Sequence, residues 1–215
     1  IPSSFFDTAV FPVFTDTVGT FYPDAGDPWT TTVDGYASMD STNAQTWATK
    51  VGGAGDSHNT IQTTVYNYIY SSATTNTWDQ FARGIILFDT SSIGAGQTIS
   101  AAEVDLWAKA KYDQLSPAGS MSLVQSTPAS NTAIANGDYA QVGTTLQATA
   151  MTISGVTTGA YNAFTLNVTG IASVNMTGIS KFGLRTESDR ANSEPTWSSN
   201  KYQGVDWASA DTADT

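Results

Sequence analysis

Residues 103–109, EVDLWAK, alternate between apolar and polar positions, so that Val104, Leu106 and Ala108 share one face while Glu103, Asp105, Trp107 and Lys109 share the other. A period of two is the signature of a half-buried strand. The pattern recurs in SMSLVQS (120–126), AFTLNV (163–168) and KFGLRTE (181–187), which direct Phe164, Leu166 and Val168, then Phe182 and Leu184, to one side. GIILF (84–88) is apolar without interruption, so it is expected at the centre of the fold with both faces covered. Further strand candidates are TFYP near residue 21, TVDGYAS near 35, TWATKV near 48 and TIQTTVYNYIY at 60–70. Gly- and Pro-bearing turns at 94–97 (GAGQ), 116–120 (SPAGS), 157–161 (TTGAY) and 176–180 (MTGIS) separate them.

Strands spaced this regularly predict an all-β fold, an antiparallel jelly-roll β-sandwich of about ten strands. Val104, Leu106, Phe164, Leu166, Phe182 and Leu184 are expected in a common core. At most one short helical turn is expected, in NTAIANGDYAQV (131–142), with Asp138 as its cap. No repeat or linker divides the 215 residues, so 1–215 reads as a single β-sandwich domain, with 1–18 as an N-terminal arm or extension.

Composition sharpens this picture. Only 13% of residues are charged, and the surface must be built from Thr, Ser, Ala, Asn and Gly, which suits strands and turns better than helices. Sixteen Asp and three Glu against eight Lys and Arg give a net charge of -11, which repels phosphate backbones and anionic membrane surfaces and argues against nucleic-acid partners. There is no Cys, and no apolar run approaches the roughly 18 residues of a membrane span, so membrane insertion is not expected. The tripeptides at Asn167 and Asn175 match the glycosylation pattern, which arises easily by chance in a chain this rich in Asn and Thr.

The stretch ARGIILFDTSSIGAGQTISAAEVDLWAK (82–109) resembles the core of DNRLRE-type jelly-roll modules, related to carbohydrate-binding module family 96 and found in phage and environmental surface proteins. FYPDAG, TTVDGY, TWAT, STPASN and GISKFGLR extend the likeness over most of residues 20–210. The resemblance implies a scaffold and no particular ligand. Such modules close with a further strand after a SADT-like segment, whereas this chain stops at WASADTADT. If no strand follows Thr215, the sheet beside GVDWAS is expected to keep an open edge, a place for strand addition from a partner; if one follows, the edge is filled internally and surface binding is the better reading. Arg83 can reach a carboxylate or strand-end carbonyls with its planar fork, and Asp89, followed by Thr90, Ser91 and Ser92, can accept backbone N–H bonds and fix the turn.

Candidate chemistry is sparse. His58 is the lone imidazole, it sits in a Gly-rich loop, and no nucleophile elbow accompanies it, so no catalytic residue is assigned and the chain is read as a non-enzyme. One His without Cys cannot supply the usual zinc ligands. Calcium suits the aspartates better, and YPDAGDP sets Asp24 and Asp27 beside flexible Gly26, although solvated, turn-forming Asp is the weightier reading. Aromatics are the stronger lead: Tyr66, Tyr68 and Tyr70 share one strand face, and Trp107 lies on the polar side of its strand, where rings can stack on sugars or anchor protein contacts as well as pack. The expected role is a non-catalytic structural or adhesive module of a virion, tail fibre or cell-surface assembly, extracellular or at the virion surface, partnered by copies of itself or by other surface proteins. The alternative is a carbohydrate-binding module, formerly attached to a polysaccharide-active enzyme, with a polysaccharide as its partner.

Overall fold

The computed structural model describes residues 19–25, 28–40, 43–60 and 63–211. Within them eleven strands run β1 Asp34–Met39, β2 Ser57–Asn59, β3 Thr64–Ser71, β4 Trp78–Asp89, β5 Glu103–Asp113, β6 Ser120–Ser126, β7 Val142–Leu146, β8 Met151–Thr152, β9 Tyr161–Thr165, β10 Ile179–Thr186 and β11 Tyr202–Ala208. Every pairing is antiparallel, and the main path is β7-β6-β10-β4-β3-β11-β5-β9, with β1 and β2 joined to β4 and β8 to β6. The protein is of the all-β sandwich class. The expected 1–18 arm lies outside the described residues.

β4 organises the architecture because it is long and apolar on both faces. One of its edges pairs with β1 from Phe81 to Ile86. The other pairs with β3 from Trp78 to Ala82 and then with β10 from Gly84 to Asp89. β3 and β10 therefore part company in the middle of β4, and the chain supplies two devices for the fork. The buried Asn67 amide donates to the carbonyls of Ala82 (3.3 Å) and Leu184 (3.0 Å), which serves backbone groups where the ladder divides. Gly84 lets β3 cross closely, since a Cβ there would lie 2.9 Å from Val65 Cγ1.

The divergence creates one core on each side of β4. Ile86 lies in a cluster with Val65, Val104, Leu106, Phe164, Leu166, Phe182, Leu184 and Trp207, which fills the space between the β4–β10–β6 layer and the β3–β11–β5–β9 layer. All six residues that periodicity placed in a common core are in it. Ile85 and Leu87 point the other way, into a cluster with Phe81, Trp47, Trp78, Tyr139 and Val124.

Several expectations are corrected. Helical turns are more numerous than one: α1 Trp47–Gly52, α2 Val168–Ala172 and α3 Glu187–Arg190 are helices, alongside the turn at Asn136–Tyr139. TWATKV is thus helical, because Thr46 Oγ1 caps Thr49 N and the buried Trp47 anchors the short helix on the core. TFYP near residue 21 forms no strand. Val168 does not continue the β9 face but opens α2 and is 85% exposed, since Asn167 Oδ1 accepts from Gly170 N and ends the strand with a cap. The expected open edge beside GVDWAS is absent: β11 is paired with β3 on one side and β5 on the other.

Candidate functional site

The outer face of the β3–β11–β5 layer is built from tyrosine. In β3 the odd positions Val65, Asn67 and Ile69 turn inward, so Tyr66, Tyr68 and Tyr70 turn outward. Cross-strand register then sets Tyr70 opposite Tyr202, Tyr68 opposite Gly204 and Tyr66 opposite Asp206 on β11, and Gly204 opposite Tyr112 on β5. Tyr36 of β1 joins from the far side, with Ala82 of β4 small enough to lie between. Ring centroids are 5.0 Å apart for Tyr36 and Tyr66, 5.5 Å for Tyr66 and Tyr68, 5.4 Å for Tyr68 and Tyr202, 5.4 Å for Tyr112 and Tyr202, and 4.0 Å for the stacked Tyr70 and Tyr202. Tyr36 and Tyr68 form the buried floor, whereas Tyr66, Tyr70, Tyr112 and Tyr202 are half-buried and reach solvent. Gly204 is what permits this spacing, because a Cβ would lie 2.3 Å from Asn67 O and 2.4 Å from Tyr68 Cα.

One carboxylate sits among the rings. Asp206 Oδ2 accepts from the Tyr112 hydroxyl at 3.0 Å, while Oδ1 is shut from solvent and has no hydrogen-bond partner. Burial pushes the Asp206 pKa up to about 6, opposed by the Tyr112 bond and the positive charge of Lys109. Burial also raises Tyr36, Tyr68, Tyr112 and Tyr202, and the Asp206 charge adds to the rise at all four, so these phenols stay neutral donors at physiological pH. Two hydroxyls are anchored by side-chain amides, Tyr68 to Gln80 Oε1 (2.9 Å) and Tyr70 to Asn200 Oδ1 (3.2 Å).

The other candidates lie elsewhere. Trp107 does not touch the tyrosine cluster through a ring contact; it pairs edge-on with Tyr161 of β9 at 5.2 Å, with Tyr161 52% exposed. Asp24 is used locally: its Oδ2 accepts from Thr30 N (2.7 Å), Thr30 Oγ1 (2.8 Å) and Thr31 N (3.2 Å), which lowers its pKa and locks a turn. Asp27 lies outside the described residues, and among those described no cluster of three or more acidic or His side chains is placed to hold a metal. Asp89 accepts from Ser91 N at 3.0 Å, and Thr90 fastens the same turn through Asn175 O (2.7 Å) and Ser180 Oγ (2.7 Å). Exposed His58 contacts Asn136 Oδ1 through Nδ1 at 2.6 Å. The Asn167 sequon amide donates to Leu146 O at 3.1 Å.

Arg83 is half of a larger arrangement. Its Nε and Nη2 grip Asp189 at 2.7 Å each, and Arg185 Nε and Nη2 grip the same carboxylate at 2.8 and 2.7 Å. The remaining N–H groups go to carbonyls of Tyr139, Val51 and Val142, and the Arg83 guanidinium lies 3.7 Å over the Tyr139 ring. Burial alone would raise Asp189, but the two guanidiniums outweigh it and hold the carboxyl below its usual range. With all three side chains buried and every fork filled, this is a clamp joining β4, β10 and α3, closed to any ligand.

A concavity of about 610 Å³ opens between α1 and residues 194–197, lined by Trp47, Trp197, Pro195 and Glu194. Its polar groups are spent internally: Trp47 Nε1 donates to Asn192 Oδ1, Trp78 Nε1 to Glu194 Oε1, and Trp197 Nε1 to Thr77 O. Compared with protein-family models, with curated proteins and with solved structures, the chain finds no match. Among the described residues no helix is long and apolar enough to cross a membrane.

Proposed function

We propose that the protein is a non-catalytic adhesive module of an extracellular or virion-surface assembly, and that it contacts a polysaccharide through the tyrosine face. The observation that carries this reading is the row of six tyrosines drawn from four strands, with half-exposed rings at the top and a packed floor beneath. Rings offer flat apolar area for the C–H faces of sugars at little entropic cost, and neutral hydroxyls, Gln80 and Asn200 give the polar complement that a hydroxyl-rich chain needs. The strands hold the side chains in register, so the face is pre-organised rather than assembled on contact. His58 lies exposed on β2, its Nδ1 in contact with Asn136 Oδ1.

Binding to an immobilised panel of polysaccharides tests the reading. Wild-type protein is expected to be retained by at least one glycan, and the paired change Tyr70→Ser and Tyr202→Ser to lose about tenfold or more in affinity, as removal of two stacking rings implies. Equal retention of the variant would remove the tyrosine face from the account.

A further inference from the structure

The tyrosine face carries a charge that it does not neutralise. Asp206 is ringed by Tyr66, directly opposite on β3, by Tyr112 on β5, and by Tyr36, Tyr68 and Tyr202, whose phenols all feel its charge. Only one of its two oxygens has a hydrogen-bond partner, and that donor is a neutral phenol. The nearby cation, Lys109, spends its ammonium on Thr63 O, Thr63 Oγ1 and Thr64 Oγ1 at 3.0 to 3.2 Å. A carboxylate beneath aromatic rings is an unusual use of charge for a floor that packing alone could fill. It makes the ring surface around it attractive to a cation twice over, through the negative face of each ring and through the Coulomb field of a half-buried charge. The net charge of -11 adds long-range attraction of the same sign and repels anionic chains.

We infer that the face selects glycans bearing free amino groups, the ammonium settling over the tyrosine rings above Asp206 while the pyranose stacks on the neighbouring Tyr70–Tyr202 pair. This rests on the glycan reading above and names the substrate class for the same face. Asp206 is a specificity-determining residue in this scheme, acting on the ligand through space, and the rings of Tyr66 and Tyr112 flank the seat.

Titration calorimetry with the fully deacetylated tetrasaccharide of glucosamine, its fully N-acetylated counterpart and tetralysine tests the inference, on wild-type protein and on Asp206→Asn. The amino tetrasaccharide is expected to bind about tenfold or more tighter than the acetylated one, with a preference that shrinks on raising salt. Asp206→Asn is expected to abolish the preference while raising the melting temperature, a combination that a residue kept only for folding would not give. Equal or tighter binding of the acetylated sugar overturns the amine inference and leaves the glycan reading standing. Asp206-dependent binding of tetralysine without binding of the amino sugar overturns it in favour of a basic protein partner. Failure of every glycan, here and on the polysaccharide panel, removes both.

Discussion

At the scale of single residues, a buried and a half-buried carboxylate with opposite fates divide structure from function. Asp189 is fully satisfied by Arg83 and Arg185, and its lowered pKa means that its contribution to stability is present above the ordinary carboxylate range and is lost as pH falls through the folded value. Asp189→Ala would strand two buried guanidiniums and is expected to cost about 3 to 5 kcal/mol in chemical denaturation. A loss under about 1 kcal/mol would mean that the clamp is not the lock between β4 and β10. Asp206 has the reverse sign. Its pKa is raised from 3.8 to about 6, so the stability linked to it is present below about 4 and is lost as pH rises through about 6. Asp206→Asn, with its pKa-bearing group gone, is expected to match wild type near pH 4 and to exceed it near pH 7 by on the order of 1 kcal/mol, after discounting for the part of the side chain that water reaches. The groups facing Asp206 are Tyr66 and Tyr68 from β3, Tyr112 and Lys109 from β5, Tyr202 from β11 and Tyr36 from β1; the phenols of Tyr36, Tyr68, Tyr112 and Tyr202, raised by burial, stay neutral across that window. Ammonium binding should accordingly weaken as pH falls through about 6. A stability gap that does not open with pH would contradict this assignment.

At the scale of elements, β4 and its fork decide the fold. Asn67→Ala removes the amide that serves both Ala82 O and Leu184 O, and a cost of about 1 to 3 kcal/mol is expected, with hydrogen exchange rising first at the amides around the fork. Leu106→Ala, in the core between the two layers, is expected to cost about 2 to 5 kcal/mol by thermal or chemical unfolding, and an unchanged midpoint would refute its burial. Period-two alternation makes the strands and the inner core legible in the amino-acid sequence: β5 and β9 have one wet and one dry face, and β6 and β10, though buried on both, keep polar residues such as Ser122 and Arg185 on the second face. The helices escape it for the complementary reason: α1, α2 and α3 are only 4 to 6 residues long and are set by caps such as Thr46, Asn167 and Thr186, too short to develop a helical period. Pairing order escapes as well. Tyr66, Tyr68 and Tyr70 can be seen on one face from β3 alone, but Tyr36, Tyr112, Tyr202 and Asp206 join them only through register between strands far apart in the chain. Likewise Arg83 advertises a need for a carboxylate, yet nothing local names Asp189, which lies 106 positions away.

At the scale of the whole molecule, the pairing of β11 on both sides leaves faces rather than this strand's edges open to a partner. Strand addition beside GVDWAS has no free ladder to use, and what remains for an adhesive role is the tyrosine surface that the same strand helps to build. Two other aromatic places compete with it, the Trp107–Tyr161 pair on β5 and β9 and the Trp47–Trp197 cleft. Their separation lets a single titration tell the three places apart. Aromatic ring resonances assigned by NMR, followed while a binding glycan is titrated in, report which rings the sugar touches. The largest shifts are expected at Tyr66, Tyr70, Tyr112 and Tyr202, with those of Tyr66 and Tyr112 abolished in the Tyr70→Ser and Tyr202→Ser variant. Shifts concentrated instead on Trp107 and Tyr161, or on Trp47 and Trp197, with the tyrosine face unmoved, would contradict it.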